Sequence, residues 1–221
     1  MNANDASPPV ALVTGASRGI GRATAVALAR RGVRCVLLAR TVGGLEQTDD
    51  LARAAGGAPA TLLPMDLAEG DAIDAIGPTL AQRFARLDLL VHAAAHPPPL
   101  TPVAHLAAGD WDRALAVNLS AGWRLLRTLT PLLLRAPDPR AVILTGPIAP
   151  EPFWGPLAAT RAALAAMAAS WAAENPAIRL HLFDPGPTAT RFRASFFPGE
   201  DRSPLAAPDT IGERIAALCR D

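Results

Sequence analysis

From Val10 to Gly21 the chain reads V-A-L-V-T-G-A-S-R-G-I-G, an apolar run, a glycine-spaced turn, and the start of an alanine-rich stretch. No other segment restricts the fold as much. A buried strand that turns at once into a helix packed back upon it is the opening of a βαβ unit, and hence of a parallel sheet. Gly15 permits the tight turn, Gly19 lets the main chain approach a ligand, and Gly21 lets helix and strand pack closely, with Ser17, Arg18 and Ile20 filling the loop. Free N–H groups at such a helix start face an anion, so the segment reads as a cradle for a dinucleotide pyrophosphate. The bland alternative is a plain structural turn, since turns also collect glycine.

The rest of the chain repeats that alternation. Short apolar runs at Val10–Val13, Val33–Ala39, Ala60–Leu63, Leu87–Val91, Arg140–Thr145 and Ile178–Phe183 read as buried strands. Stretches with helical spacing lie between them, at 19–31, 44–55, 69–85, 109–135, 154–174 and 207–220. This pattern predicts a Rossmann-like α/β fold, a doubly wound parallel sheet of six strands in a three-layer α/β/α domain spanning 1–221. Prolines 97–99 break the chain after the fourth strand, and Pro147, Pro150, Pro152 and Pro156 stiffen the link after the fifth, where a site is expected.

Composition narrows the function classes. The net charge is +1 and the basic residues are scattered, so neither nucleic acid nor a membrane surface is suggested as a partner. No apolar run reaches membrane-spanning length, and the start MNANDASPPV lacks a basic and an apolar leader region, which makes the cytoplasm the default. Cys35 and Cys219 form no pattern, so no disulfide framework and no metal site is expected. The chain contains no tyrosine, and all 21 of its basic residues are arginine. Drift toward alanine, arginine, glycine and proline explains scarcity of both types. It does not explain giving up a tyrosine or lysine that chemistry required.

Beyond T-G-A-S-R-G-I-G, four further segments bear on the chemistry. They are Asp66 after the third strand, His92-Ala93-Ala94-Ala95 after the fourth, Asn118 in W-D-R-A-L-A-V-N, and Asp184-Pro185-Gly186-Pro187-Thr188-Ala189-Thr190 after the sixth. Together they resemble the short-chain dehydrogenase/reductase family over nearly the whole chain. Relatives usually continue into one more strand and a tail beyond the last helix seen here. The resemblance implies hydride transfer between a nicotinamide coenzyme and a small-molecule carbonyl or alcohol. It also implies that Asp66 meets the adenine amino group, that Ala93 lines the cofactor, and that Pro185, Gly186, Thr188 and Thr190 hold the nicotinamide end and the phosphates. Read blandly, Asp66 is a helix cap and P-G-P-T a turn.

Arg40 closes the second strand, where coenzymes lacking a 2′-phosphate usually meet an acid. An arginine offers a permanent charge and a fork of donors to a phosphate, and Arg18 adds a second cation, so NADP is favoured over NAD. The plain reading is that Arg40 begins a solvated loop.

The family's chemical residues are mostly replaced. Its tyrosine and lysine, four residues apart on one helical face, correspond to Leu157 and Arg161, and its serine segment reads Thr145-Gly146-Pro147. Leu157 carries no transferable proton, and Arg161 can still hydrogen-bond a ribose. Thr145 supplies a hydroxyl only if the register shifts by about one residue. Asn118 is retained, or else is a helix amide satisfying local backbone. His92 reads as structural, while His96 and Glu151 are candidate substitutes for the donor. The helices at 109–135 and 154–174 are expected to form a homodimer or homotetramer face, as in relatives, or to pair with an active relative. Three functions stay open: a weak or non-standard oxidoreductase, a non-catalytic NADP-binding sensor, and a structural partner.

Overall fold

The computed structural model describes residues 7–146 and 151–218, so that Pro147, Pro150 and Cys219 lie outside the described residues. Six strands form one sheet: β1 Val10–Thr14, β2 Arg34–Ala39, β3 Thr61–Pro64, β4 Leu89–His92, β5 Arg140–Leu144 and β6 Arg179–Phe183, in the order β3-β2-β1-β4-β5-β6. Every pairing is parallel. The order reverses between β1 and β4, and the crevice at the carboxyl ends of these strands is where an open α/β sheet binds its ligand.

Side-chain alternation along β1 divides the interior. Val10 and Leu12 face a core completed by Ile73, Ile76, Leu125, Leu129, Leu133 and Leu164, whereas Ala11 and Val13 face one completed by Leu28, Leu45, Ile211 and Ile215. The first core is covered by α3 (Gly70–Asp74), α4 (Ile76–Ala81), α6 (Ala121–Leu133) and α7 (Gly155–Glu174). The second is covered by α1 (Gly19–Arg30), α2 (Val42–Ala54) and α9 (Pro208–Ala217). Helices on both faces explain why the central strands β1, β2 and β4 are buried almost throughout rather than alternating, whereas the edge strand β6 is not. None of the described helices is long and apolar enough to cross a membrane.

The structure departs from the sequence pattern in five places. The helix expected over 69–85 is two short ones, α3 and α4, ending at Ala81. Gly77 of α4 lies on α6, where its amide donates to Thr128 Oγ1 at 3.2 Å and an added Cβ would come within 2.9 Å of the Thr128 carbonyl carbon. The helix expected over 109–135 is α5 (Ala108–Leu115) and α6 joined by a wide π turn, Ala116–Ser120. A short helix α8, Arg191–Phe196, follows β6, and a 3₁₀ turn at Val103–His105 follows β4. The last helix ends at Ala217, short of the expected 220.

Candidate functional site

The glycine loop is shaped by main chain, not by side chains. Gly15 and Gly19 have φ of 66° and 56°, in the region that favours glycine. A Cβ on Gly15 would lie 2.9 Å from the Cα of Ala94, and one on Gly21 would lie 2.7 Å from the carbonyl carbon of Gly15. In both cases the obstacle is backbone, which cannot swing aside. From behind, Thr48 Oγ1 donates to the carbonyl of Ala16 at 2.8 Å and the Arg22 guanidinium donates to that of Ser17. Arg18 is extended ahead of α1, which has neither a side-chain cap nor an acid in its first turn. Its first amides therefore enter the crevice unfilled, ready for an anion. Ile20 turns the other way, onto the second core.

Cations gather at the same place. Burial, then the neighbouring Arg191 and Arg40, push the Arg18 guanidinium below the usual arginine range. Among the described residues none of the three has an ion pair or a hydrogen bond of its side chain. Asp66 lies nearby. Its Oδ1 accepts from the Ala68 amide at 3.0 Å, and its Oδ2 accepts from Arg113 at 2.8 Å. Partial burial alone would raise its pKa, but these bonds prevail and hold the carboxyl below its ordinary value. Asp66 is thus a cap and an ion-pair partner, with lone pairs left over.

The segment after β6 closes over the loop. Thr188 is buried, and Thr190 caps α8 by accepting from the Arg193 amide at 3.2 Å. A Cβ on Gly19 would touch the Thr190 methyl group at 3.4 Å. Pro185 and Gly186 form a turn in which the Gly186 amide donates to Asp184 Oδ1 at 2.9 Å. On the opposite wall, Ala93 and Ala94 donate their amides to Thr14 Oγ1 at 3.2 and 3.1 Å. Both lone pairs of that hydroxyl are then used, so its proton goes to His92 Nδ1, 2.9 Å away. His92 is consequently neutral with its proton on Nε2, and burial pushes its pKa down to about 4. It fastens the β4 loop to the glycine loop and is a structural residue.

Asn118 sits in the π turn and reaches across the chain. Its Oδ1 accepts from the His96 amide at 2.7 Å and its Nδ2 donates to the His96 carbonyl at 3.0 Å. The amide thus satisfies backbone, though of a loop 22 residues away. The His96 ring lies among Arg113, Arg40, Asp110 and Asp66, with the charges around Asp66. Burial first, then Arg113 and Arg40, lower its pKa.

At the other end of the crevice, Leu157 is only 1% exposed. The position that the resemblance pairs with the proton donor is thus part of the core. One turn on, Arg161 lies against Gly146, where a Cβ would come within 2.8 Å of the guanidinium carbon, and its Cζ stands 5.6 Å from the ring centroid of Phe192. Burial lowers its pKa while Asp184 opposes the shift. Thr145 is buried, its amide donates to the Phe183 carbonyl at 2.9 Å, and its hydroxyl has no partner among the described residues.

At the start of α7 opens a cleft of about 450 Å³ lined by Pro102, Val103, Pro152, Phe153, Gly155 and Ala158, with Glu151 its charged member. Phe153 has φ 75° and is 52% exposed, a strained and solvent-facing ring at the mouth of this cleft. Trp154 stacks obliquely on Phe196 and Phe197 of and beyond α8, with ring centroids 4.8 and 5.9 Å apart. Sequence reasoning missed the cation role of Arg191 and the Arg113 partner of Asp66. The first had a signal, since Arg191 adjoins Thr190; the second had none, because only folding brings residues 66 and 113 together.

The pattern of the short chain dehydrogenase family matches residues 9–201. An oxidoreductase of Escherichia coli K12 called YciK, uncharacterized by name, is 30% identical over 207 residues, covering 91% of this chain and 82% of that one. A Shigella flexneri short chain dehydrogenase complexed with NADP superposes with a TM-score of 0.92 at 29% identity, over 99% of this chain and 92% of that one. A short chain dehydrogenase of Escherichia coli CFT073 complexed with NADPH superposes equally, at TM-score 0.92 and 30% identity, over 99% and 92%.

Proposed function

The chain belongs to the short chain dehydrogenase family, and from that premise we propose that it binds NADP(H) and slowly interconverts a small carbonyl compound and its alcohol without a tyrosine donor. One observation carries the coenzyme reading: a loop closed by backbone at Gly15 and Gly21 opens onto three arginines that have no carboxylate of their own. Those residues fit the coenzyme. The amides from Gly19 onward take the pyrophosphate, Arg40 and Arg18 the 2′-phosphate, and Asp66 the adenine amino group. Thr188 and Thr190 hold the nicotinamide end, and Arg161 reaches the ribose. NAD is the weaker choice, because the residue that follows β2 is Arg40 and not an acid. The NADP- and NADPH-bound relatives support the same reading.

When bound, the nicotinamide supplies or accepts the hydride. What this chain adds is position and field. Loss of a general acid costs about 10²–10⁴-fold, while holding two reactants in register still contributes several kcal/mol. Slow turnover with solvent as proton source is the expected result. We assign His96 a holding role through its main chain to Asn118, since its ring lies with the Asp66 charges.

A second reading, a non-catalytic NADP sensor or a structural partner of an active relative, draws on the burial of Leu157. In either reading α6 and α7 form the subunit face, supported by the 43% exposed Trp123 on α6. Calorimetry with NADPH and NADH, followed by NADPH oxidation against diverse carbonyls, separates these cases. Binding of NADPH with slow oxidation supports the enzyme, and binding without oxidation supports the sensor. Failure of both nucleotides to bind at millimolar concentration removes the proposal.

A further inference from the structure

Arg161 presents a problem that the coenzyme does not solve. Its guanidinium is half-buried between the main chain of Gly146 and the ring of Phe192, beside the buried side chain of Leu157. Among the described residues it has neither a hydrogen-bond acceptor nor an ion pair, and Asp184 acts on it only through space. The Phe192 ring offsets part of the charge but accepts none of the five N–H bonds in their plane. A partly desolvated cation is costly unless something of opposite charge meets it. A ribose is uncharged and cannot fill that role. Close by in the chain, Thr145 carries a hydroxyl that also has no hydrogen-bond partner among the described residues. The two groups flank Gly146, the residue whose missing side chain makes room for the guanidinium.

We propose that Arg161, assisted by Thr145, is a receptor for a carboxylate, so that the small carbonyl substrate of this chain is an oxo acid. Planar and bidentate, a guanidinium matches a carboxylate, and Gly146 is the positioning residue that lets it sit there. The mostly apolar cleft at Gly155 and Ala158, on the same helix as Arg161, takes the remainder of the molecule, with Glu151 its one charged wall. The word substrate rests on the function proposed above; the anion site itself does not.

The test is calorimetry with 2-oxobutanoate and 4-oxopentanoate, each against its uncharged amide, on protein with and without saturating NADPH. The acids are expected to bind at least about tenfold more tightly than the amides. Arg161→Gln should abolish that preference. Gly146→Ala keeps the charge but pushes the guanidinium out of place, and should weaken acid binding about tenfold with the amides unaffected. Circular dichroism and melting identify any variant that fails to fold, and the acid-to-amide ratio of the unmodified protein decides the matter without variants. Equal affinity for acid and amide, or a preference that survives Arg161→Gln, overturns the proposal, including the case in which that variant loses only NADPH. If NADPH never binds but the acids do, the anion site stands and the coenzyme reading falls. If NADPH binds and the acids show no preference, the reverse holds.

Discussion

The two ends of the crevice were built from different materials. At the β1–α1 end, recognition is done by amides and by the absence of side chains, with Gly21 closed off by the carbonyl of Gly15 and Gly15 by the main chain of Ala94. At the β5–α7 end, the proposed chemistry depends on what projects from positions 145, 157 and 161. A backbone-made site cannot be dismantled without disturbing the strand and helix that make it. A side-chain-made site can be emptied by single substitutions while the fold persists. On the reading proposed above, the chain has both outcomes: a loop whose glycines meet backbone, and a donor position filled by a leucine that is 1% exposed.

The sharpest way to break that contrast is to rebuild the second end. Leu157→Tyr with Arg161→Lys is expected to gain little, because Gly146 leaves the serine position empty. Adding Gly146→Ser should raise kcat for NADPH oxidation by about 10²–10⁴-fold, the usual contribution of general acid catalysis. A tyrosine forced into so buried a position is expected to lower stability by about 1–3 kcal/mol in urea unfolding. If all three changes together gain nothing, the second end has lost more than side chains.

Next in size is damage to the first end. Gly21→Ala drives a methyl group into backbone and should lower NADPH affinity more than about 100-fold in calorimetry, with a fall in melting temperature. Retained affinity would mean that the loop is softer than its packing indicates. A smaller change, Arg40→Ala, removes one charged contact and is expected to weaken NADPH about 10–100-fold while leaving NADH unchanged. Equal losses for both coenzymes would move Arg40 away from the 2′-phosphate.

The smallest effect probes the seam between the ends. His92 is neutral when folded with a pKa of about 4, and ordinary histidine titrates near 6.5. The unfolded chain therefore binds the extra proton between these values, so this contribution is intact above pH 6.5 and declines as pH falls toward 4. Between pH 7 and pH 5.5 the loss is expected to be about 1 kcal/mol. His92→Asn, whose side-chain oxygen still accepts from Thr14, should flatten that part of a urea-midpoint profile. An unchanged slope assigns it to carboxylates instead.

The central strands were legible because they are buried on two faces and so nearly apolar throughout, as Val36–Ala39 is, while the edge strand β6, R-L-H-L-F, is only partly covered. The cradle was legible because its glycines answer to backbone geometry that any reader of the chain can reconstruct. What escaped was decided at a distance. Gly77 divides the segment 69–85 by leaning on Thr128 of another helix. The break at Ala116–Ser120 follows from the grip of Asn118 on His96, which helical spacing alone does not reveal. At α8, Arg191–Phe196 is too short to display a period, and its rings pack on Trp154 and on each other and not on the main core. Residues 145–161 were readable as departures from the family's pattern, and the seat of the Arg161 guanidinium against Gly146 was not.

The wide turn at Ala116–Ser120 also bears on how the gene for this chain can change. A π turn carries one residue more than the helix around it requires. Deleting a single codon there would remove the surplus and close a regular helix, leaving α6 in phase, with Leu125, Leu129 and Leu133 still turned to the interior and the 43% exposed Trp123 still outside it. A codon lost from the middle of α6 would instead rotate every later side chain by about 100°. Length can therefore vary at this turn without cost to phase, and what a deletion there forfeits is the hold of Asn118 on the His96 main chain.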